Sequence, residues 1–299
     1  MSQISLAGTA VLAAVIFCPV STSGTPQKNT AKLIEPVRPA VVQVIVRITD
    51  GPPPEPLPVS GPVQGCFAVT KTRCVVGTGF FINDTGDVVT ASHVADEVQR
   101  IIQELGANGI HARATIGVSM PNVQTKNLTV ASGTIGFPAT LIATDAEHDI
   151  AAFRPTTNPF TNMPKTFAGP GAAGLPQTKA AFVHLAVDRP RDGEEIFACG
   201  FPFGEPGLVT TSGAIASAWK TEILLTARAV GKTFPVEAYW VDLRINPGNS
   251  GGPILRMGDQ TVLGMVVELK GSLGIVVPAK YIAEFLKSHD IRSTPMGTN

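Results

Sequence analysis

From Ala40 the chain becomes a succession of short apolar runs, each cut off by glycine, proline or small polar residues. VVQVIVRI, from Val41 to Ile48, alternates and is rich in β-branched residues, which predicts an opening strand. GPPPEPLPVSGP, beginning at Gly51, cannot continue it, because proline has no backbone donor for a ladder; a surface insertion is predicted. CVVGTGFFI, the turn NDTG and DVVTASHV then parse as a hairpin whose second strand ends at the histidine. The residues after it, Ala95 to Leu105, put apolar side chains at 98, 101, 102 and 105, the period of a helix. Strand-like runs resume at Ala114 to Val118 and at Gly136 to Thr144, the second leading into DAEHDIAAF.

Between Pro155 and Lys179 the pattern disappears into Pro, Gly, Ala and Thr, and an interlobe connection is predicted there. Strand-like runs return at Ala180 to Val187, Glu195 to Gly200, Gly207 to Ala218, Phe234 to Leu243, Thr261 to Glu268 and Gly274 to Val277. Ala279 to His289 closes the chain as a short helix. Two all-β lobes follow: residues 24–154 with the proline-rich insertion, and residues 180–299 with the terminal helix, joined by 155–179.

Composition narrows the function. The 299 residues carry 23 basic and 23 acidic side chains, so no net field draws the chain to nucleic acid. Its cysteines, 18, 66, 74 and 199, have no zinc-ligand spacing, and no metal is expected. Cys66 and Cys74 are near enough to bridge across a loop in an oxidising compartment; the sequence leaves that pair bridged or free. Cys199, in IFACGF, reads as a small core residue. Residues 1–23 contain no charged side chain, and Ile4 to Val20 is mostly apolar before the small polar run STSG. An export signal is predicted, with an extracytoplasmic destination, periplasmic or secreted. The alternative is an uncleaved anchor, the one case in which membrane contact is expected, although a span normally needs about 20 apolar residues.

The stretch with most chemical content is INPGNSGGPIL, where Ser250 stands among Gly248, Gly251 and Gly252. A serine hydroxyl is a weak nucleophile until a base takes its proton and donors meet the developing oxyanion; glycines let the backbone supply such donors. The N–H groups of Gly248 and Ser250 are the candidate oxyanion hole. His93 in VTASHVADE is the candidate base, and Asp149 in DAEHDIAAF the carboxylate that fixes its tautomer. The chain order His, Asp, Ser is itself informative.

TASHV, the Asp-Ile-Ala of HDIAAF, GFPFG at Gly200, TTSGAIAS at Thr210, NPGNSGGPI at Asn246 and GIVVPA at Gly274 together resemble the HtrA/Deg branch of trypsin-like serine proteases. The resemblance implies an all-β fold of two six-stranded antiparallel β-barrels with the site in the crevice between them, no cofactor, and polypeptide substrates cut through an acyl-enzyme. Oligomeric state is left open. With 49 residues after Ser250 in this sequence, the PDZ domain that HtrA proteases usually carry is not expected here. Asn249 stands where digestive relatives have aspartate, so activation by a freshly cut N-terminus is not expected. Arg244, six residues before the serine, is a candidate for the primary pocket, although a solvated side chain, or one paired with Asp242, is the favoured reading. In MVVELKG, the residues Val267, Glu268 and Leu269 are the candidate wall against which an extended peptide adds as a strand.

Competing readings are weaker. Gly248 to Gly252 also fits a Gly-x-Ser-x-Gly elbow, but Gly251, Gly252 and Pro253 oppose the helix an elbow needs, and only His289 follows. His111, His148, His184 and His289 lack comparable surroundings. Asp96 is read as the start of the helix after His93, where negative charge is favourable. A latent or inactive binding protein on a protease scaffold remains the alternative, since fold does not dictate activity.

Overall fold

The computed structural model describes residues 30–50, 68–70, 72–119, 123–125, 128–130, 134–161, 181–186, 188–205 and 207–293. The predicted export signal, the proline-rich insertion and most of the interlobe connection fall outside the described residues.

A short helix, α1 (Thr30–Ile34), leads into β1 (Val41–Asp50), β2 (Ala68–Thr70), β3 (Arg73–Phe81) and β4 (Val88–Thr90). Helix α2 (Ser92–Ala107) follows, then β5 (His111–Ser119), β6 (Val123–Thr125), β7 (Leu128–Val130), β8 (Thr134–Asp145) and β9 (Ile150–Pro155). All sheet pairings are antiparallel, and β1 pairs with both β5 and β3, closing the ring β1-β5-β8-β9-β4-β3. β2 extends this sheet along the other edge of β3, while β6 and β7 form a separate two-stranded sheet. The second barrel takes β10 (Glu195–Gly200), β11 (Val209–Glu222), β12 (Val236–Asp242), β13 (Pro253–Arg256), β14 (Val262–Lys270) and β15 (Leu273–Pro278), closed in the order β10-β11-β12-β15-β14-β13. A short helix, α3 (Leu225–Ala229), sits between β11 and β12, and α4 (Ala279–Ser288) ends the fold. Two six-stranded antiparallel barrels are therefore present, as the resemblance implies.

Phe80, Phe81, Ile116 and Phe153 are fully buried in the first barrel; Ile196, Ile215, Val241, Ile254 and Val276 belong to an inner cluster of the second. Burying such a side chain contributes about 1.5–3 kcal/mol. β3 is buried on both faces from Cys74 to Phe81, packed within its own lobe and also against the Ser250 turn of the second. This double burial explains its apolar run and its small residues: a Cβ on Gly77 would lie 2.7 Å from a Val94 methyl and 3.1 Å from the Ser250 carbonyl oxygen.

Several expectations need correction. The hairpin strand ends at Thr90, and His93 lies in the first turn of α2 instead of on a strand end. Ala180 to Val187 is no strand among its described residues: Leu185 makes an isolated parallel bridge to Val262. Its backbone serves both lobes, with Val183 N–H donating to Phe81 O at 3.0 Å and Ala186 N–H to Val262 O at 2.9 Å. Among its described residues neither contact extends beyond that single bridge into a ladder. β9 and β13 went unpredicted; β13 opens on Pro253, at a first strand position where the missing donor does no harm.

Candidate active site

Asp149 and α2 are held together as a unit. Ala91 before the helix is extended and offers no side-chain cap, so the first N–H groups of α2 need another acceptor. Asp149, only 1% exposed, supplies it from the turn before β9, whose Ala151 pairs with Thr90 at the end of β4. Its Oδ1 accepts from the Ser92 hydroxyl at 2.8 Å and the His93 N–H at 2.9 Å, and its backbone carbonyl accepts from the Ser92 N–H at 3.1 Å. Oδ2 meets His93 Nδ1 at 2.7 Å. A buried carboxylate is tolerable only when its oxygens are satisfied, and here both are, next to the positive end of a helix. Asp149 takes φ 55°, an unusual left-handed value for a non-glycine residue, which turns the chain from the β8 end into β9.

With Nδ1–H directed at Asp149, the lone pair of His93 Nε2 is free to accept a proton. Burial opposes charge on the ring, but the hydrogen bond and charge of Asp149, with Glu268 and Asp96 adding to them, raise the His93 pKa above its ordinary 6.5. Asp96 lies on the exposed side of α2, its own pKa raised by partial burial and by Asp149.

The turn carrying Ser250 is built from backbone. Gly248 has φ 96° and Gly251 φ 82°, conformations that favour glycine. Side chains are excluded there too, since a Cβ on Gly248 would collide with the Phe201 carbonyl oxygen and one on Gly251 with the Thr78 carbonyl oxygen. Asn249 N–H donates to Asn246 O at 3.0 Å, Gly251 N–H to Val266 O at 2.9 Å and Gly252 N–H to Asn249 O at 2.8 Å. The N–H groups of Gly248 and Ser250 donate to no acceptor among the described residues. Two unspent donors two residues apart, one of them on the half-buried serine itself, can receive an oxygen that carries developing negative charge.

The other candidates divide. Val267 is buried at the irregularity between Val266 and Glu268 in the β14–β15 ladder. Glu268 is half-buried, its Oε1 accepting from the Leu225 N–H; burial, then the nearby Asp149 charge, raise its pKa against the pull of that bond and of His93. Leu269 is exposed. Arg244 is also exposed; its backbone carbonyl accepts from the Thr211 hydroxyl at 3.3 Å. It makes no bond to His93, Asp149 or Ser250.

Sequence reasoning overlooked Ser92 and Thr78, although both left a signal: each is a polar residue inside an otherwise apolar or motif-bearing run. Cys74 is disulfide-bonded, while its suggested partner Cys66 lies outside the described residues. Cys199 is a free buried thiol whose pKa is pushed up by burial, in keeping with a core role. Among the described residues no group of three His, Cys, Asp or Glu side chains is placed to hold a metal ion.

Two barrels with a histidine–aspartate pair on one and a glycine-framed serine on the other define the class, and the family model "Trypsin-like peptidase domain" matches residues 77–265. The chain belongs to that family. It is 24% identical over 289 residues to the serine protease HTRA2, mitochondrial, of Bos taurus, covering 96% of this chain and 49% of the relative. It is 27% identical over 209 residues to a probable periplasmic serine endoprotease DegP-like of Rickettsia prowazekii (strain Madrid E), covering 70% of this chain and 31% of the relative. The chain thus spans about half the length, or less, of these curated relatives. Among solved structures, the active form of the Rv3671c protease from M. tuberculosis matches with TM-score 0.54 at 19% identity, over 96% of this chain and 97% of that one. The HtrA-type protease AlgW with decapeptide also gives 0.54, at 18% identity, over 87% of this chain and 67% of that one. Identities this low speak to fold alone.

Proposed function

We infer that the chain is a serine endopeptidase of HtrA type, acting on polypeptides outside the cytoplasm. The observation that carries this reading is the turn at Ser250, where the N–H groups of Gly248 and Ser250 remain unspent while their neighbours are engaged. In this reading a peptide adds along Val267 to Leu269, and Ser250 Oγ attacks the scissile carbonyl carbon as His93 Nε2 accepts the hydroxyl proton. Asp149 holds the imidazolium in place, and the two N–H groups receive the oxyanion. The leaving amine takes the proton from His93; water then attacks the acyl-enzyme by the same route and regenerates Ser250. Arg244, being exposed, is given no part in the primary pocket. The disulfide at Cys74 and the periplasmic relatives support an extracytoplasmic setting.

The test is intact-mass labelling by a fluorophosphonate, with wild type beside Ser250→Ala. One adduct on wild type and none on the variant is the expected result. A folded wild type that stays unlabelled would sink the active-protease reading and favour a latent enzyme or a binding protein on this scaffold.

A further inference from the structure

Thr78 lies mid-strand in β3, with 0% exposure, in a run of apolar and glycine residues. Buried hydroxyls need partners, and those of Thr78 lie in the other barrel. The β2 ladder occupies one edge of β3 at residues 73–75 and the β4 ladder at 80–81. In the gap between them the Ser250 turn docks. Thr78 N–H donates to Ser250 O at 3.0 Å, while the Thr78 carbonyl accepts from the Thr90 hydroxyl at 2.6 Å. The Thr78 hydroxyl donates to Gly248 O at 2.6 Å and accepts from the Phe201 N–H at 3.1 Å.

We propose that Thr78 is a positioning residue for the oxyanion turn, acting across the barrel interface to hold the Gly248 N–H toward the substrate. Two peptide planes meet at Gly248. The first is held by Phe203 N–H donating to Pro247 O at 2.7 Å; in a trans peptide the N–H points opposite to the carbonyl, so the Gly248 N–H is directed away from the 201–204 turn. The second is held by the Thr78 hydroxyl on Gly248 O. The same hydroxyl anchors Phe201, at the start of the turn that grips Pro247, so one oxygen braces both sides of the glycine. Rotating the 247–248 peptide would present a carbonyl, instead of an N–H, to the substrate oxygen. Without the hydroxyl, Gly248 O and Phe201 N–H lose a buried partner, and the turn is free to rearrange to recover one.

This inference rests on the endopeptidase reading and is tested beside it. Wild type, Ser250→Ala, Thr78→Val and Thr78→Ser are compared for thermal melting, rate of fluorophosphonate adduct formation, kcat and KM on a peptide substrate, and affinity for a peptide boronate that mimics the tetrahedral state. Losing an oxyanion donor outright costs about 10²–10³ in kcat, and misplacing one should cost less, about 10- to 100-fold. Thr78→Val is expected to lower kcat, adduct rate and boronate affinity together by that factor while KM stays within about twofold, and Thr78→Ser is expected to restore them. If valine does not fold there, Thr78→Ala against Thr78→Ser makes the same comparison with less bulk. A folded Thr78→Val or Thr78→Ala protein with wild-type kcat and boronate affinity overturns the proposal alone. Equal losses in the serine variant overturn it too, by assigning the effect to packing. Absence of labelling in wild type removes the endopeptidase reading and this one with it.

Discussion

The two barrels contribute to the site in different ways. The first supplies side chains whose identity matters: His93, Asp149 and Ser92 are joined by specific hydrogen bonds of 2.7 to 2.9 Å. The second supplies backbone whose shape matters: glycines at φ 96° and 82° curve the chain so that two N–H groups are left unspent around one serine. A side chain can be placed by a distant carboxylate, because a hydrogen bond needs only an acceptor at the right point. A backbone donor can be freed only by denying it every local acceptor, which demands an unusual conformation. The first arrangement should therefore be sensitive to polar substitutions that keep volume, and the second to the addition of a single methyl group.

Ser250→Ala, which in the proposed mechanism removes the reacting atom on the second barrel, should lower kcat by about 10⁶-fold without shifting the melting temperature appreciably. A folded Ser250→Ala protein that still turned over a peptide substrate would remove that serine from the proposed role. Asp149→Asn keeps the volume but allows the wrong imidazole tautomer; about 10⁴-fold loss in kcat is expected. Its pH profile sharpens the point. In the proposed mechanism neutral His93 is the base, so kcat/KM should rise with pH along a limb centred above the ordinary 6.5, and removing the carboxylate that raises this pKa should move the limb to lower pH. The raised pKa also stabilises the wild-type fold below pH 6.5, a contribution lost as pH rises through the folded-state value.

Gly248→Ala adds one methyl group where the Phe201 carbonyl leaves no room, and should cost about 10²–10³ in kcat with little change in KM. A near-wild-type kcat in that variant would show that the second barrel does not depend on backbone shape. Glu268→Gln should act least, lowering the midpoint of the kcat/KM limb by under about one pH unit, since its charge adds to Asp149 in raising the His93 pKa. An upward shift of the limb would contradict that electrostatic contribution.

Some of this was legible in one dimension. GNSGG announces its serine because glycines on both sides have a local backbone purpose, and TASHV stands at the boundary of a strand and a helix. The choice of Asp149 over Asp96 was harder, because the nearer carboxylate is three residues from His93 on the same helix but on its exposed side. Strand pairing was less legible again. The run from Ala180 to Val187 has strand composition, yet its described backbone divides its bonds between the lobes, while β13 is a ladder strand that begins with proline. Burial pattern reports which residues avoid water; it says nothing about which edge will meet which.

By itself the sequence determined the local permissions: where glycine allows a left-handed turn, where proline forbids a ladder, and which residue types could serve as nucleophile, base and orienter. Tertiary structure alone decided that Asp149 would cap the helix carrying His93, that Glu268 would sit close enough to act on its charge, and that the gap in the β3 edge would receive the Ser250 turn through Thr78. The reason is physical: conformational freedom is a property of one or two residues, whereas a hydrogen bond or a Coulomb interaction depends on distance in space, which only closure of the two barrels sets.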